Sequence, residues 1–272
     1  MEVGGTRGVL DSVVGLLSEG VTHLGVATDH VIESFRNDMW PGYKSSAGMP
    51  PELLAQFPLV EDTLRALGVV VWPMVDVEAD DGLAAAAATA TADPRVDQVV
   101  IMTPDKDLAQ CVDDDRVVQL DRRSGVMSNA DGVVKRFGVR PASIPDYLAL
   151  VGDSSDGFPG LKGWGAKSAA AVLFRYVHLE DIPHDHWRWD VDVRGATRLA
   201  ATLNEQRDLA LLFRDLATLR SEPAVFTDVG QLRWTGPTRE FVAICDRLGR
   251  PQLVGRIERL VSHLAGDERG GE

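Results

Sequence analysis

Residues 153–170 read DSSDGFPGLKGWGAKSAA, a stretch that joins two carboxylates to a glycine-rich turn and a helix start. A glycine backbone can approach a phosphate closely, and the free N–H groups at the start of the following helix favour an anion. A plain alternative is a helix connection with Trp164 packed in the core, but the adjacent Asp153 and Asp156 favour a binding role. The candidate phosphate contacts are Gly160, Lys162, Gly163, Gly165, Lys167 and Ser168.

Acidic side chains cluster at three predicted helix starts, in EADD, DKD and DSSD, and one more ends a predicted strand. Taken singly, an acid near a helix start caps free N–H groups and complements the helix dipole. Each of these helix starts has two or three acids, however, and converging carboxylates need a compensating positive charge. Two Mg²⁺ or Mn²⁺ ions about 4 Å apart would supply it and could stabilise both oxygens of a phosphodiester displacement. The candidate metal ligands are Asp29, Glu78, Asp80, Asp81, Asp105, Asp107, Asp153 and Asp156.

Three short β-prone runs, residues 21–29, 69–74 and 96–103, alternate with helical segments. This order predicts parallel βαβ units, whose ligand sites lie beyond the carboxyl ends of the strands. Helices are expected over about residues 53–67 and from Pro104 onward. Because acidic residues follow each β-prone run, the sequence places the predicted metal site at this edge.

The predicted domains follow the change from alternating to mainly helical sequence. We expect an α/β domain over residues 1–140 and a helical region over residues 141–262. The polar, glycine-rich residues 263–272 are expected to be a disordered tail.

Composition restricts the class of protein further. The formal net charge of −13 argues against a surface built only to grip phosphate backbones, so any nucleic-acid binding must be local. A membrane span and a secretory signal are both lacking, which predicts a cytoplasmic protein, expected as a monomer. Cys111 and Cys245 are too few for a disulfide framework or a thiolate zinc site. The motifs GxxxxGK[ST], HExxH and GxSxG are absent.

The motifs EADD, TPDKDLAQ and GDSSDGFPGLKGWGAKSAA, in this order and spacing, closely resemble the 5′ nuclease domain of bacterial DNA polymerase I and its flap-endonuclease relatives. The resemblance covers about residues 20–220 and is specific because three separate motifs agree. It implies a PIN-like parallel-sheet nuclease domain followed by a helix-3-turn-helix DNA-binding region. It also implies that the eight acids match the family's metal site, with Asp29 at the end of its second strand.

The same resemblance implies roles outside the acids. SFRNDMWPGYK is similar to the start of the family's helical arch, so Arg36 would steer the scissile phosphate, with Tyr43 and Lys44 along the path of the DNA strand. Arg36 and Lys44 are the catalytic candidates, although both could simply be solvated. The glycine stretch is similar to the family's duplex-binding hairpin, which often holds K⁺ through backbone carbonyls.

One departure from the family concerns the first strand. Family chains open with a strand that ends in a metal-binding aspartate, whereas this chain begins with MEVGGTRGVLDSVVGLL, similar to the family's first helix. Asp11 lies inside that helical run and is not assumed to replace the aspartate. We therefore expect the gene product to begin upstream with such a strand, and a chain without it to be weakly stable and weakly active.

Three functional hypotheses follow. The leading one is a structure-specific 5′-3′ exonuclease or flap endonuclease that hydrolyses duplex DNA at a 5′ end, flap or nick, in replication or repair. The second is a DNA-binding protein with an incomplete nuclease site, which would bind duplex in EDTA without turnover. The third, a PIN-type ribonuclease, explains the α/β core and leaves the duplex-binding hairpin unexplained.

Overall fold

The computed structural model describes residues 2–222 and 224–267, with side chains up to residue 263. In chain order the elements are α1 (Gly4–Ser18), β1 (Gly25–Asp29), α2 (Phe35–Met39), α3 (Pro51–Leu54), α4 (Gln56–Ala66), β2 (Val70–Met74), α5 (Ala79–Thr91), β3 (Val99–Ile101), β4 (Val117–Asp121), β5 (Val126–Ser128), α6 (Ala130–Phe137), α7 (Ile144–Val151), α8 (Ala166–Tyr176), α9 (Ala196–Glu205), α10 (Arg207–Ala217), α11 (Phe241–Arg247) and α12 (Gln252–Asp267). Short 3-10 helices cover Asp107–Cys111, Pro141–Ser143, Leu179–Asp181, His186–Arg188 and Val229–Leu232.

The chain forms two compact units, each assembled from separate parts of the sequence. The first unit comprises Met1–Ile32, Ser46–Ala79 and Val225–Glu272, and the second comprises Glu33–Ser45 and Asp80–Ala224. This division by compactness differs from a division along the chain, and the expected domain boundary near residue 140 stays a prediction. Residues 268–272 of the expected tail lie outside the described residues, and before them α12 continues to Asp267.

The first unit is built around two parallel strands. β1 and β2 pair in register from Gly25 opposite Val70 to Asp29 opposite Met74, so both strands end at the same edge. Helices α1, α4, α11 and α12 supply its apolar core. The buried residues include Leu10, Val14, Leu64, Leu67, Phe241, Leu248 and Ile257.

The second unit contains a three-stranded sheet and most of the helices. β3 is parallel to β4, and β4 is antiparallel to β5. Helix α7 is buried along most of its length and packs against α8 and α10. Phe213 of α10 stacks on Phe158 with ring centroids 5.5 Å apart and meets the Trp40 ring edge-on at 5.1 Å. Phe158, which follows the DSSD turn, and Trp40, which follows α2, therefore both pack against α10.

The three predicted β runs are confirmed as β1, β2 and β3, and parallel pairing of predicted strands is confirmed for β1 with β2. In the second unit β3 pairs in parallel with β4, a strand that the sequence does not predict. The prediction of a helix from Pro104 is wrong, because a 3-10 helix begins only at Asp107. Thr103 and Asp105 instead form hydrogen-bonded turns before it: Asp105 N donates to Thr103 Oγ1 at 3.2 Å. The expected strand upstream of residue 1 lies outside this sequence and stays a prediction. Across the described residues, the structure contains no helix that is both long and apolar enough to cross a membrane.

Candidate metal centre

Three carboxylates from two segments of the second unit converge at one point. Asp107 begins the 3-10 helix after β3, and Asp153 and Asp156 lie in the turn after α7. One oxygen of each carboxylate lies within 4.8 Å of the other two. The three residues are 5%, 2% and 7% exposed, respectively, so water cannot compensate their charges freely. We call Asp107, Asp153 and Asp156 the acid cluster.

The DSSD turn fixes its two aspartates through local hydrogen bonds. Asp153 N donates to Phe158 O at 2.8 Å, and Phe158 N donates back to Asp153 O at 3.0 Å. Asp153 Oδ1 also accepts a hydrogen bond from Ser155 N at 2.9 Å. Because the Phe158 ring is buried, the core anchors this closed turn and presents both carboxylates to the same side.

Electrostatic repulsion is concentrated on Asp107. Burial raises the pKa of the Asp107 carboxyl well above its usual range, and the negative charges of Asp156, Asp105, Asp153 and Asp80 raise it further. Asp107 Oδ1 is buried and has no hydrogen-bond partner among the described residues. An unsatisfied buried acceptor costs about 1–3 kcal/mol, which a bound cation would offset. The oxygen-only donor set therefore fits a hard divalent ion.

Two lysines compensate part of this charge. Lys44 Nζ lies 3.1 Å from Asp156 Oδ1, and Lys106 Nζ lies 2.5 Å from Asp153 Oδ2. Both lysine side chains are more than a quarter exposed, so their ammonium groups also face solvent. Lys106 is a residue that the sequence reasoning missed, although its place between Asp105 and Asp107 in DKD is a signal that could have identified it.

Backbone contacts hold Lys44 at the acid cluster. Lys44 N donates to Asp156 O at 2.9 Å, and Trp40 Nε1 donates to Gly157 O at 3.0 Å. Gly157 has φ +85°, and a β-carbon there would lie 2.0 Å from Gly42 O. The loop that contains Gly42 and the loop that contains Gly157 therefore approach each other closely. Only glycine at residue 157 permits this distance.

The remaining predicted ligands fall into different places. Asp29 and Glu78 belong to the first unit, where Asp29 Oδ1 accepts a hydrogen bond from Ala79 N at 2.7 Å and Glu78 is buried. Asp80 is close enough to Asp107 to raise its pKa. A common metal site for all eight acids stays a prediction.

The three predicted arch residues have different surroundings. Arg36 is buried, and its guanidinium forms an ion pair with Asp81 with an N–O distance of 2.7 Å. Tyr43 is 5% exposed and belongs to the apolar core, with Lys44 Nζ 5.7 Å from its ring centroid. Of these three arch residues, Lys44 is the one whose cation reaches the acid cluster.

The predicted phosphate-binding hairpin is a loop that precedes α8. Gly163 and Gly165 are exposed, as are Lys162 and Lys167. Ser168 Oγ accepts a hydrogen bond from Gly165 N at 3.1 Å, which caps the start of the helix.

Two other residues of the glycine stretch have packing roles. At Gly160 a β-carbon would lie 2.3 Å from Gly152 N, so this glycine packs against the backbone and is not open to a ligand. Trp164 is buried, and its Nε1 donates to Leu199 O at 3.2 Å. The structure therefore contains both features. Trp164 packs in the core, as the plain alternative predicts, and Gly163 and Gly165 form an exposed turn.

Arg198 on α9 is a second residue that the sequence reasoning missed. Its Nε and Nη2 atoms lie 3.8 and 4.0 Å from the position of a β-carbon on Gly163. The side chain is exposed and forms no hydrogen bond or ion pair within the described residues. Only the fold places it beside the hairpin, 35 residues along the chain from Gly163, so no local motif indicates it.

Comparison with protein-family models matches nearly the whole chain. Residues 1–138 match the 5′-3′ exonuclease N-terminal resolvase-like domain, and residues 139–240 match the 5′-3′ exonuclease C-terminal SAM fold. The chain belongs to the 5′-3′ exonuclease family. The predicted resemblance and the predicted class, an α/β domain with parallel strands followed by a helical region, are thereby confirmed.

Curated relatives of this 5′-3′ exonuclease family member are bacterial DNA polymerases. It is 33% identical over 247 residues to DNA polymerase I of Pseudomonas aeruginosa and 32% identical over 270 residues to DNA polymerase I of Mycobacterium leprae. The alignments cover 87% and 94% of this chain and 26% and 29% of the relatives. The chain thus spans less than a third of the length of these relatives.

Solved structures with the same fold include a 5′-exonuclease and the catalytic core of Rad2. The T5 5′-exonuclease with bound zinc is 18% identical, with a TM-score of 0.63 over 93% of this chain and 90% of that chain. The catalytic core of Rad2 in complex with DNA substrate is 16% identical, with a TM-score of 0.57 over 89% of this chain and 78% of that chain. At these identities the likeness establishes the fold of this family member.

Proposed function

We propose that this chain is a divalent-metal-dependent, structure-specific 5′ nuclease that hydrolyses DNA phosphodiesters. The observation that carries the proposal is the buried acid cluster, in which Asp107 has a raised pKa and an oxygen without a partner among the described residues. Such a cluster destabilises the protein unless a cation binds it. Family membership and the metal ions and DNA named in the T5 flap endonuclease structure support the same reading.

The metal ions proposed are two Mg²⁺ or Mn²⁺, because every candidate ligand is a carboxylate and none is a thiolate or imidazole. The acid cluster would hold them together with Asp80 and Asp105, whose charges act on Asp107. Asp29 and Glu78 are proposed as further ligands on the resemblance alone. When bound, such ions stabilise the negative charge that develops on the phosphate oxygens.

The chain's own cations would bind and orient the substrate. Lys44 Nζ and Lys106 Nζ lie at the rim of the acid cluster and can donate hydrogen bonds to non-bridging phosphate oxygens. Lys44 is proposed as the catalytic lysine, since the hydrogen bond from its backbone N–H to Asp156 O fixes its backbone. Tyr43 would support the lysine through its buried ring without touching the DNA strand.

The hairpin would bind the duplex part of the substrate. The exposed Gly163 and Gly165 leave the backbone accessible, and Lys162, Lys167 and Arg198 supply positive charge beside it. These contacts would reach phosphates without reading bases, which fits recognition of a 5′ end, flap or nick by shape. We further propose that backbone carbonyls of the hairpin bind K⁺. The protein is proposed to be a monomer.

The test is cleavage of a 5′-labelled flap and a nicked duplex with Mg²⁺, with Mn²⁺ and in EDTA, using DNA and RNA versions of one flap. We expect metal-dependent cleavage of DNA, and a loss of at least about 100-fold in Asp107→Ala and Asp153→Ala. The matched control is Asp192→Asn, an exposed aspartate without an ion pair among the described residues. Full activity in Asp107→Ala would remove the site assignment, and metal-independent duplex binding without turnover would favour a binding protein.

A further inference from the structure

Arg36 and Asp81 form a buried ion pair that the proposed chemistry does not use. The two side chains are 1% and 0% exposed. Arg36 Nη1 donates to Asp81 Oδ2 at 2.7 Å, and Nη2 donates to Asp81 Oδ1 at 2.8 Å. This parallel two-bond geometry makes guanidinium–carboxylate pairs strong and directional. A carboxylate compensated in this way has little reason to bind a metal, and a buried guanidinium does not meet a phosphate.

The pair lies where three segments of the second unit come together. Arg36 in α2 donates through Nε to Leu216 O at 2.8 Å and through Nη2 to Thr218 O at 3.1 Å, both at the end of α10. Asp81 in the first turn of α5 accepts a further hydrogen bond at Oδ1 from Arg220 N at 2.8 Å. The charges are therefore satisfied by each other and by backbone groups at the end of a helix, as burial demands.

Both partners connect to the acid cluster through a neighbouring residue. Asp80 precedes Asp81 in the same helical turn, and its charge acts on the cluster. On the other side, Asn37 follows Arg36, and Asn37 Nδ2 donates to Lys44 O at 2.9 Å. The ion pair thus joins the helix that positions Asp80 to the segment that positions Lys44.

We propose that Arg36 and Asp81 are positioning residues, which set Lys44 at the acid cluster and contact neither metal nor phosphate. This assignment rests on the proposed nuclease function and replaces the roles that the family resemblance implies for these two residues. An arginine is needed because its planar fork makes two parallel bonds and still reaches two carbonyls, which a lysine ammonium does not reproduce.

The first experiment measures metal binding without DNA or turnover. Mn²⁺ is titrated calorimetrically into wild type, Asp81→Asn and Asp107→Asn. We expect Asp81→Asn to keep its Mn²⁺ affinity within about threefold, while Asp107→Asn weakens Mn²⁺ binding by more than about tenfold. An equal loss in both variants would make Asp81 a ligand and overturn the inference. Because turnover is not needed, this result stands apart from a failure of wild type to cleave DNA, which would remove the proposed function.

The second experiment is a double-mutant cycle on cleavage of the 5′-labelled flap. Arg36→Gln and Asp81→Asn should each lower kcat by about 10–100-fold with KM within about threefold, and the double variant should be no worse than the worse single variant. In a Lys44→Ala background, Arg36→Gln should lower kcat by less than about threefold further, because the pair acts through Lys44. Multiplicative losses, or a rise in KM that accounts for the loss, would overturn the inference.

A third variant distinguishes a loss of positioning from a folding defect. Arg36→Gln leaves a buried carboxylate without its partner, whereas Arg36→Met with Asp81→Leu removes both charges and fills the volume with apolar groups, a replacement that proteins often tolerate. We expect this variant to unfold cooperatively and to show the same loss of kcat as the single variants. Wild-type kcat in this folded variant would overturn the inference.

Discussion

At the scale of the residue, the burial of Asp107 connects protein stability with metal binding. The pKa of its carboxyl is raised well above the usual range by burial and by four neighbouring carboxylates. The metal-free folded protein therefore binds this proton more tightly than the unfolded chain does. The contribution to stability is fully present at low pH and is lost as the pH rises from the unfolded pKa of about 3.9 toward the raised folded pKa.

Asp107→Asn should therefore stabilise the metal-free protein at every pH well above the unfolded pKa. We expect the free energy of unfolding in EDTA at neutral pH to rise by about 1–2 kcal/mol, because the buried charge is gone. The same variant should lose the stabilisation that Mn²⁺ gives to wild type. Urea unfolding with EDTA and with Mn²⁺ measures both effects, and Asp192→Asn is the control. A destabilised Asp107→Asn in EDTA would show that repulsion at the cluster is already compensated in the metal-free protein.

Gly157 is a second residue whose role follows from its surroundings. It has φ +85°, and a β-carbon would lie 2.0 Å from Gly42 O. Gly157→Ala should destabilise the protein by about 2–4 kcal/mol and lower cleavage, because the loop carrying Lys44 must move away from the DSSD turn.

The matched control for Gly157 is Gly125→Ala. Gly125 also has a positive φ, +71°, but no atom lies within 4 Å of its added β-carbon. That substitution should cost only the conformational strain of about 1 kcal/mol. Urea unfolding compares the two variants, and equal costs would mean that the loops separate without penalty.

Sequence reasoning predicted residues well where chemistry and spacing coincide in one motif. Asp107, Asp153 and Asp156 are three of the eight acids that the sequence predicts as metal ligands, and these three converge. The Arg36–Asp81 pair joins residues 45 positions apart, in motifs that each have a different reading when taken singly. Which acid lies in the acid cluster and which faces an arginine depends on the packing of α2 against α10, and no local spacing encodes that packing.

At the scale of the element, the hairpin before α8 contains a packed glycine, Gly160, and an exposed glycine, Gly165, which we propose to lie at the DNA. Gly165 has φ −140° and open space around its added β-carbon, so a larger side chain fits there without strain. Gly165→Val should keep the stability of wild type and weaken duplex binding by about tenfold, because the side chain covers the backbone N–H groups. Fluorescence anisotropy with a short duplex in EDTA, together with urea unfolding, measures the two properties.

Gly160→Val is the contrasting variant at the other end of this element. The added side chain would meet Gly152 N, so stability should fall while the exposed hairpin surface is unaltered. Unchanged duplex affinity in Gly165→Val would favour a purely structural glycine turn.

Elements were predictable from sequence to the extent that their signals were local. The β-prone runs that contain Gly25–Asp29 and Val99–Ile101 predict β1 and β3, and the amphipathic pattern predicts α4. The antiparallel pair of β4 and β5 is not predicted by the sequence, because VVQLD and VMS are short and β5 is largely exposed. The 3-10 helix at Asp107 replaced a predicted α-helix because the side chains of Thr103 and Asp105 bond the backbone first.

At the scale of the whole molecule, the net charge of −13 constrains how this family member can hold DNA. The cations placed at the proposed sites are few: Lys44 and Lys106 at the acid cluster, and Lys162, Lys167 and Arg198 at the hairpin. Each phosphate neutralised contributes about −0.9 to the slope of log affinity against log salt. Five contacts therefore predict a slope of about −4 to −5, shallower than that of a protein with a broad basic surface.

This slope is measurable by anisotropy of a labelled duplex with a 5′ flap, in EDTA, across a salt series. Lys167→Ala and Arg198→Ala should each make the slope shallower by about one unit, since each removes one phosphate contact. Lys135→Ala is the control, a basic residue at the end of α6 outside the hairpin, and it should leave the slope unchanged. A wild-type slope steeper than about −7 would require phosphate contacts beyond these five side chains. Such a slope would contradict the proposed local mode of DNA binding and favour a wider interface.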